Sequence, residues 1–197
     1  MTSVLPWTAP EVPAASGTEA LAAEWVRPYN QAHHLARARD WLVWLVPDAP
    51  AELRIAALTH DIERMFPGGP ALDHATTDWD SPFYLYPHML RSAEIVGFWL
   101  AGLDTASLDI AEVRRLVGLH EVGGLNGADE VQAADSLSYL ETLAGLTASW
   151  VSSGSCSRDK GIAKLTYMAG RVRVPAAREP VAALLEWATG QLPEEDR

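Results

Sequence analysis

With 197 residues the chain is long enough to bury one sizeable core, and its 48% hydrophobic and 21% charged content is that of an ordinary globular protein. A net charge of −11 and a pI near 4.9 exclude a phosphate-backbone binder, which needs a basic face, so no nucleic acid partner is expected. The single cysteine, Cys156, excludes an intrachain disulfide and a thiolate metal site, and the longest apolar run, 41–46, is far too short to span a membrane.

Residues 1–16 carry Pro6, Pro10 and Pro13 among small residues and read as a flexible N-terminal arm. No basic region followed by an apolar one precedes the rest, so the cytoplasm is the expected compartment. One helical domain is expected over 17–192. Cap chemistry at Ser16 and Thr18 opens a helix over 19–26 that Pro28 ends, and a second helix over 30–46 stops at Pro47. Asp48 to Pro50 starts a third helix reaching Met65. The connection 66–87 holds the breaker Pro67-Gly68-Gly69-Pro70 and is long enough to serve as a lid. Helices follow over 87–101, 109–121, 129–146, 158–170 and 176–189. The only strand-like run, 172–174, is short and flanked by Arg, so the chain reads as all-α and single-domain.

The third helix carries the oddest pair, His60-Asp61 between Leu58 and Ile62. Neighbouring side chains on a helix point about 100° apart, so these two converge only on something small beside the axis, and a metal ion fits. Asp is rarely buried without a partner, which a bound cation would supply. His34 opens the second helix with Arg37 and Ala38 at helical spacing, and its neighbour His33 cannot share that face. His88 begins the fourth helix, His120 ends the fifth, and Asp135 lies mid-helix between Val131 and Tyr139. Helix-end His residues also serve as caps or dipole partners, so no one of these is decisive alone.

Together, His34, His60-Asp61, His88, His120 and Asp135 on five successive helices resemble the HD-domain superfamily of metal-dependent phosphohydrolases, over about 30–144. Leu58-Thr59-His60-Asp61-Ile62, His34 with Arg37, and the run from Ala134 to Glu141 look like that family's local contexts. The resemblance implies that His34, His60, Asp61 and Asp135 hold one divalent cation, and that His88 and His120 add a second. His120-Glu121-Val122-Gly123-Gly124 departs from the fuller motif of the cyclic-dinucleotide phosphodiesterases. Imidazole and carboxylate donors suit Mn, Fe, Co, Ni or Zn, as one or two ions. Two cations roughly 3.5–4 Å apart would activate a water and stabilise the leaving oxygen of a phosphoester.

Asp61 is then expected to bridge or orient the nucleophile, with Glu121 or Glu63 assisting proton transfer or supporting a ligand. Arg91, one turn past His88, and the series Lys160, Lys164, Arg171 supply cations for phosphate, although such a series also suits a solvated face. His74 is expected in solvent. Trp79, Phe83, Tyr84 and Tyr86 either line a pocket or pack the loop down. The leading expectation is hydrolysis of a small phosphorylated compound, a nucleotide or phosphomonoester. A di-iron oxygenase on the same ligands is a second reading, and a non-catalytic regulatory protein with the metal as a staple is a third.

Overall fold

The computed structural model describes residues 4–105 and 107–194. The chain is all-α, with no strand among the described residues: α1 is Gly17–Val26, α2 Ala32–Leu45, α3 Ala51–Thr59, α4 Pro82–Ala101, α5 Ile110–Val117, α6 Ala128–Thr142, α7 Ala144–Ser152, α8 Arg158–Gly170 and α9 Arg178–Thr189. Short 3-10 turns at Ile62–Met65 and Pro175–Ala177 follow α3 and precede α9. No helix among the described residues is long and apolar enough to cross a membrane.

The bundle is built around α6, which is buried on every side from Val131 to Leu140. Such a helix normally carries only apolar residues. Here Gln132, Asp135, Ser136 and Ser138 are buried too, and each has a partner on another element. α2 makes the most extensive contact with α6. Their seam is pinned by Arg37, which donates to Glu141 Oε1 from Nε at 3.1 Å and Nη2 at 2.9 Å, and by Trp41 Nε1, which donates to Glu141 Oε2 at 2.7 Å. One apolar core joins Leu35, Leu42, Ile55, Val96, Leu116, Leu137 and Leu184 from six helices.

The segment expected as a loose arm lies, over its described part, against these helices. Leu5 and Trp7 pack on the core, and the carbonyls of Ala9 and Pro13 accept from Arg37 and Arg39.

Four helix boundaries differ from expectation; the fifth helix, expected to reach 121, stops at Val117, so that His120 and Glu121 lie in the turn beyond it. The third helix does not run to Met65 but stops at Thr59, and the His-Asp pair forms the break. α4 begins at Pro82 rather than Pro87, because Pro82 takes the first-turn position that a missing N–H suits. Pro87 then sits inside the helix on its exposed face, where solvent reaches the carbonyl left without a donor. The helix expected over 129–146 is two helices, broken at Leu143, whose φ −113° and ψ 4° leave the α region. The break swings α7 across the end of the bundle that holds the site.

Candidate metal centre

His60 still has helical dihedrals (φ −55°, ψ −36°), but Asp61 lies in the bridge region (φ −99°, ψ 8°) before the 3-10 turn. That turn changes the direction of Asp61 relative to His60 from the about 100° of a continuing helix, and both side chains face one centre. Two buried groups result, His34-His60-Asp61 and Asp61-His88-His120, each with its donor atoms within 4.8 Å of one another. Asp61 belongs to both. Asp135 from α6 adds a second carboxylate, its Oδ1 3.3 Å from His34 Nε2 and 3.2 Å from His60 Nε2. His33, exposed on the far side of α2, takes no part.

The hydrogen bonds fix which nitrogen of each ring faces the centre. Ser138 Oγ donates its one proton to the His34 carbonyl at 2.7 Å, so His34 Nδ1, 2.8 Å from the same oxygen, must be the donor to it. His60 Nδ1 donates to Ala57 O at 2.9 Å and His120 Nδ1 to Val117 O at 2.7 Å. His88 Nδ1 donates to Glu63 Oε1 at 2.9 Å. In all four Nε2 is the nitrogen directed inward, and Nε2 of His60 and His120 is buried without a hydrogen-bond partner. Those orphaned atoms facing carboxylates, with the opposite nitrogen pinned, are the arrangement in which imidazoles hold a cation. The residues fit a divalent metal.

The charges say the same. Burial opposes ionising the Asp61 carboxyl, but Arg64 and His88 hold it well below the usual range. Arg171 and His60 do this for Asp135, again against burial. Burial pulls the His60 imidazole down, yet the Asp135 carboxylate pushes it up to about 9. Burial and Arg64 oppose a proton on His88, but Asp61, with Nε2 2.8 Å from its Oδ1, and Glu63 keep that ring above its ordinary value. Burial lowers His120. Without a cation, Arg64 and Arg171 are the main offset to the two carboxylates, and a proton on His60 adds to Arg171.

The cations expected as one phosphate-binding group separate. Arg171 lies just past the end of α8, buried, and donates from Nε to Ser136 Oγ at 2.8 Å, from Nη1 to Glu121 Oε2 and from Nη2 to Asp135 Oδ2. With its donors committed to these groups it orients carboxylates and is not placed to take substrate. Arg91 lies behind the centre, donating to Pro67 O at 2.7 Å with Nη1 3.5 Å from Glu63 Oε2, so it backs His88 through Glu63. Lys160 points outward to Asp78 at 3.2 Å. Only Lys164 faces the site, its Nζ 4.8 Å from the centre of the Tyr139 ring and 5.4 Å from that of Trp79. Enclosure pulls its ammonium down to about 8, against the pull of Glu121.

A cavity of about 260 Å³ opens on Asp61, Asp135 and Glu121. Glu121 keeps Oε1 3.8 Å from His120 Nε2 while Oε2 is held by Arg171. Of two further groups lining the cavity, Arg64 goes beyond the expected set and Tyr84 is one of the aromatics expected there. Arg64 donates to Asp61 Oδ2 at 3.0 Å and lies over the Tyr84 ring, and its three-residue spacing from Asp61 is a signal in the sequence. Tyr84, four residues before His88, stacks on that imidazole at 5.8 Å with its hydroxyl buried and unpartnered. The loop 66–81 covers the cavity through Pro70, Leu72, His74 and Trp79. His74, expected in solvent, instead stacks on Trp150 at 4.0 Å. Trp79 and Tyr84 line the cavity, whereas Phe83 and Tyr86 are exposed.

His120-Glu121-Val122-Gly123-Gly124 is the turn that ends α5. Gly123 has φ +69°, and a Cβ there would lie 2.4 Å from Asp129 Oδ1, which accepts from Gly124 N at 2.8 Å. Only glycine fits, and the turn brings His120 and Glu121 inward together. Comparison with family profiles, with curated proteins and with solved structures finds no match for this chain.

Proposed function

We propose that the chain is an HD-type phosphohydrolase that uses divalent metal to cleave a small phosphorylated compound. The observation that carries this is Asp61, shared by two buried histidine groups and opening on a cavity that Arg64 and Lys164 also line. Two divalent cations there would supply Lewis acidity and a nucleophilic water.

Four neutral imidazoles and two carboxylates leave two such ions with a net charge of about +2. Arg64 and Lys164 add to it, and the Glu121 charge is offset by Arg171. The centre so loaded attracts an anion. Lys164, with its pKa near 8, is still charged at neutral pH, and burial pushes the Tyr84 phenol up to about 12, so it stays a neutral donor. These groups hold the phosphoryl oxygens. Glu121, with Arg171 keeping its carboxyl ionised against burial, is placed to take a proton from water. Arg171 and Ser138 position Asp135 and His34.

Protein purified without chelator should carry a transition metal, release phosphate from a panel of monoesters and nucleotides, and lose both activity and thermal stability in EDTA. Absence of metal, with unchanged melting in EDTA, would remove the reading. Iron with oxygen consumption and no phosphate release would make the chain a di-iron oxygenase, and metal without turnover would make the ion a structural staple.

A further inference from the structure

The cavity has two unlike ends. One is ionic, with Asp61, Asp135, Glu121, Arg64 and Lys164. The other is built by the break at Leu143, which turns α7 so that Leu143, Leu146 and Trp150 face Leu72 and Trp79 of the covering loop. The second end offers little to read a polar group. The Trp79 indole N–H is committed to Lys160 O at 3.0 Å. His74 lies flat on Trp150, and burial lowers its pKa, so it offers one donor and one acceptor there rather than a charge. Gln31 is the one side-chain amide on the wall. Beyond what Gln31 and His74 can satisfy, the several hydroxyls of a sugar or the edge of a base enclosed by such a surface would lose their water without regaining partners.

We infer that the substrate is a phosphomonoester of a short apolar alcohol, whose hydrocarbon part lies against Leu143, Leu146 and the edges of the stacked Trp79 and Trp150 rings while the phosphoryl group faces Asp61. The inference rests on the hydrolase reading and names the substrate class of the same site. Sugar phosphates and nucleotides are then poor substrates, because their hydroxyls and bases would be stripped of water on an apolar wall. In the reaction a water oxygen bonds to phosphorus as the ester P–O bond breaks. One water proton ends on the departing alcohol and the other stays on the phosphate, with no redox change.

The test uses full-length protein loaded with Mn²⁺ and three esters of primary alcohols, hexyl phosphate, glucose 6-phosphate and AMP, so that the leaving groups are chemically alike. The expected result is a kcat/KM for hexyl phosphate at least tenfold above the other two, with Leu146→Ser narrowing the ratio at least threefold by raising KM. Equal or better turnover of glucose 6-phosphate or AMP overturns the substrate class and leaves the hydrolase standing. Calorimetric titration with hexylphosphonate and methylphosphonate, which cannot be hydrolysed as esters, separates the two claims. If no ester is cleaved but the hexyl compound binds at least tenfold more tightly, the hydrolase reading falls and the apolar subsite stands. If the two phosphonates bind alike, the subsite falls.

Discussion

The two histidine groups share Asp61 but are held by different means. His34 and His60 come from α2 and the end of α3, helices packed on each other, with Asp135 supplied by α6; their Nδ1 atoms are pinned by neutral oxygens, Ser138 Oγ and Ala57 O. On the other side His88 is backed by a carboxylate, Glu63, which Arg91 approaches in turn, and His120 stands on a glycine turn beyond the end of α5. The first group takes its geometry from core packing. In the second, His88 is tuned by charge, since a carboxylate behind an imidazole makes it a stronger donor, while His120 Nδ1 is pinned by the neutral Val117 O. One group is thus set by the fold, and the other depends in part on a replaceable ionic chain through Glu63 and Arg91.

The largest effect should come from the residue common to both. Asp61→Asn keeps the shape but removes the charge that faces both histidine pairs, so metal content should fall from two ions per chain to none, and phosphate release with it. Retention of one ion by elemental analysis would show that the two positions do not depend on one carboxylate.

Removing a ligand from only one side should separate them. His120→Ala is expected to lower occupancy from two ions to one while the chain keeps its fold, and hydrolysis should collapse, because a reaction needing both cations loses one electrophile. His34→Ala should cost more melting temperature than His120→Ala, since His34 is tied through Ser138 into the α2–α6 seam. The reverse order of melting losses would overturn the contrast between a packed side and a tuned side.

Much of this arrangement is legible in the amino-acid sequence. α8 matches its expected span of 158–170, because Ser157 is a working cap, accepting from Lys160 N at 3.2 Å. The His-Asp pair and the outlying His and Asp residues stand out because polar residues in apolar helical phase need a reason to be there. What stays hidden depends on distant partners. Arg171 reads as one more cation after Lys164, yet Glu121 and Asp135, which it clamps, lie 50 and 36 residues earlier. The break at Leu143 has no Pro or Gly at its own position to mark it, so the apolar end of the cavity has no local signature. Pro87 misleads for the opposite reason, as a strong local signal that the exposed face of α4 tolerates.

A smaller effect is expected from the support behind His88. Glu63→Gln keeps an acceptor for Nδ1 but takes away its charge, which should weaken one ion about 10- to 100-fold and leave the other unchanged. Competition with a chelator of known affinity reads this as a biphasic curve in the variant. Equal weakening of both ions would mean that Glu63 acts through the shared Asp61 rather than through His88.

The smallest effect is the response to pH, and it sharpens the contrast most when the tuned side has been removed. In the metal-free protein Asp135 keeps a proton on His60 up to about pH 9, so cation and proton compete for the same Nε2. A raised pKa gives the sign: lowering the proton concentration removes the competitor, and affinity rises with pH by about tenfold per unit, flattening above pH 9. His120, whose pKa burial lowers, adds no such term at neutral pH. In His120→Ala the single remaining ion should therefore show this slope between about pH 7 and 9. Linkage requires a matching change in the chelated protein. The stability gained from the His60 proton is fully present below the ordinary imidazole value and is lost as pH rises through about 9, so melting temperature should fall over that range without metal and hold steady with it. A flat affinity profile from about pH 7 to 9 would show that the ring is already neutral, and that Arg171 alone offsets the charge on Asp135.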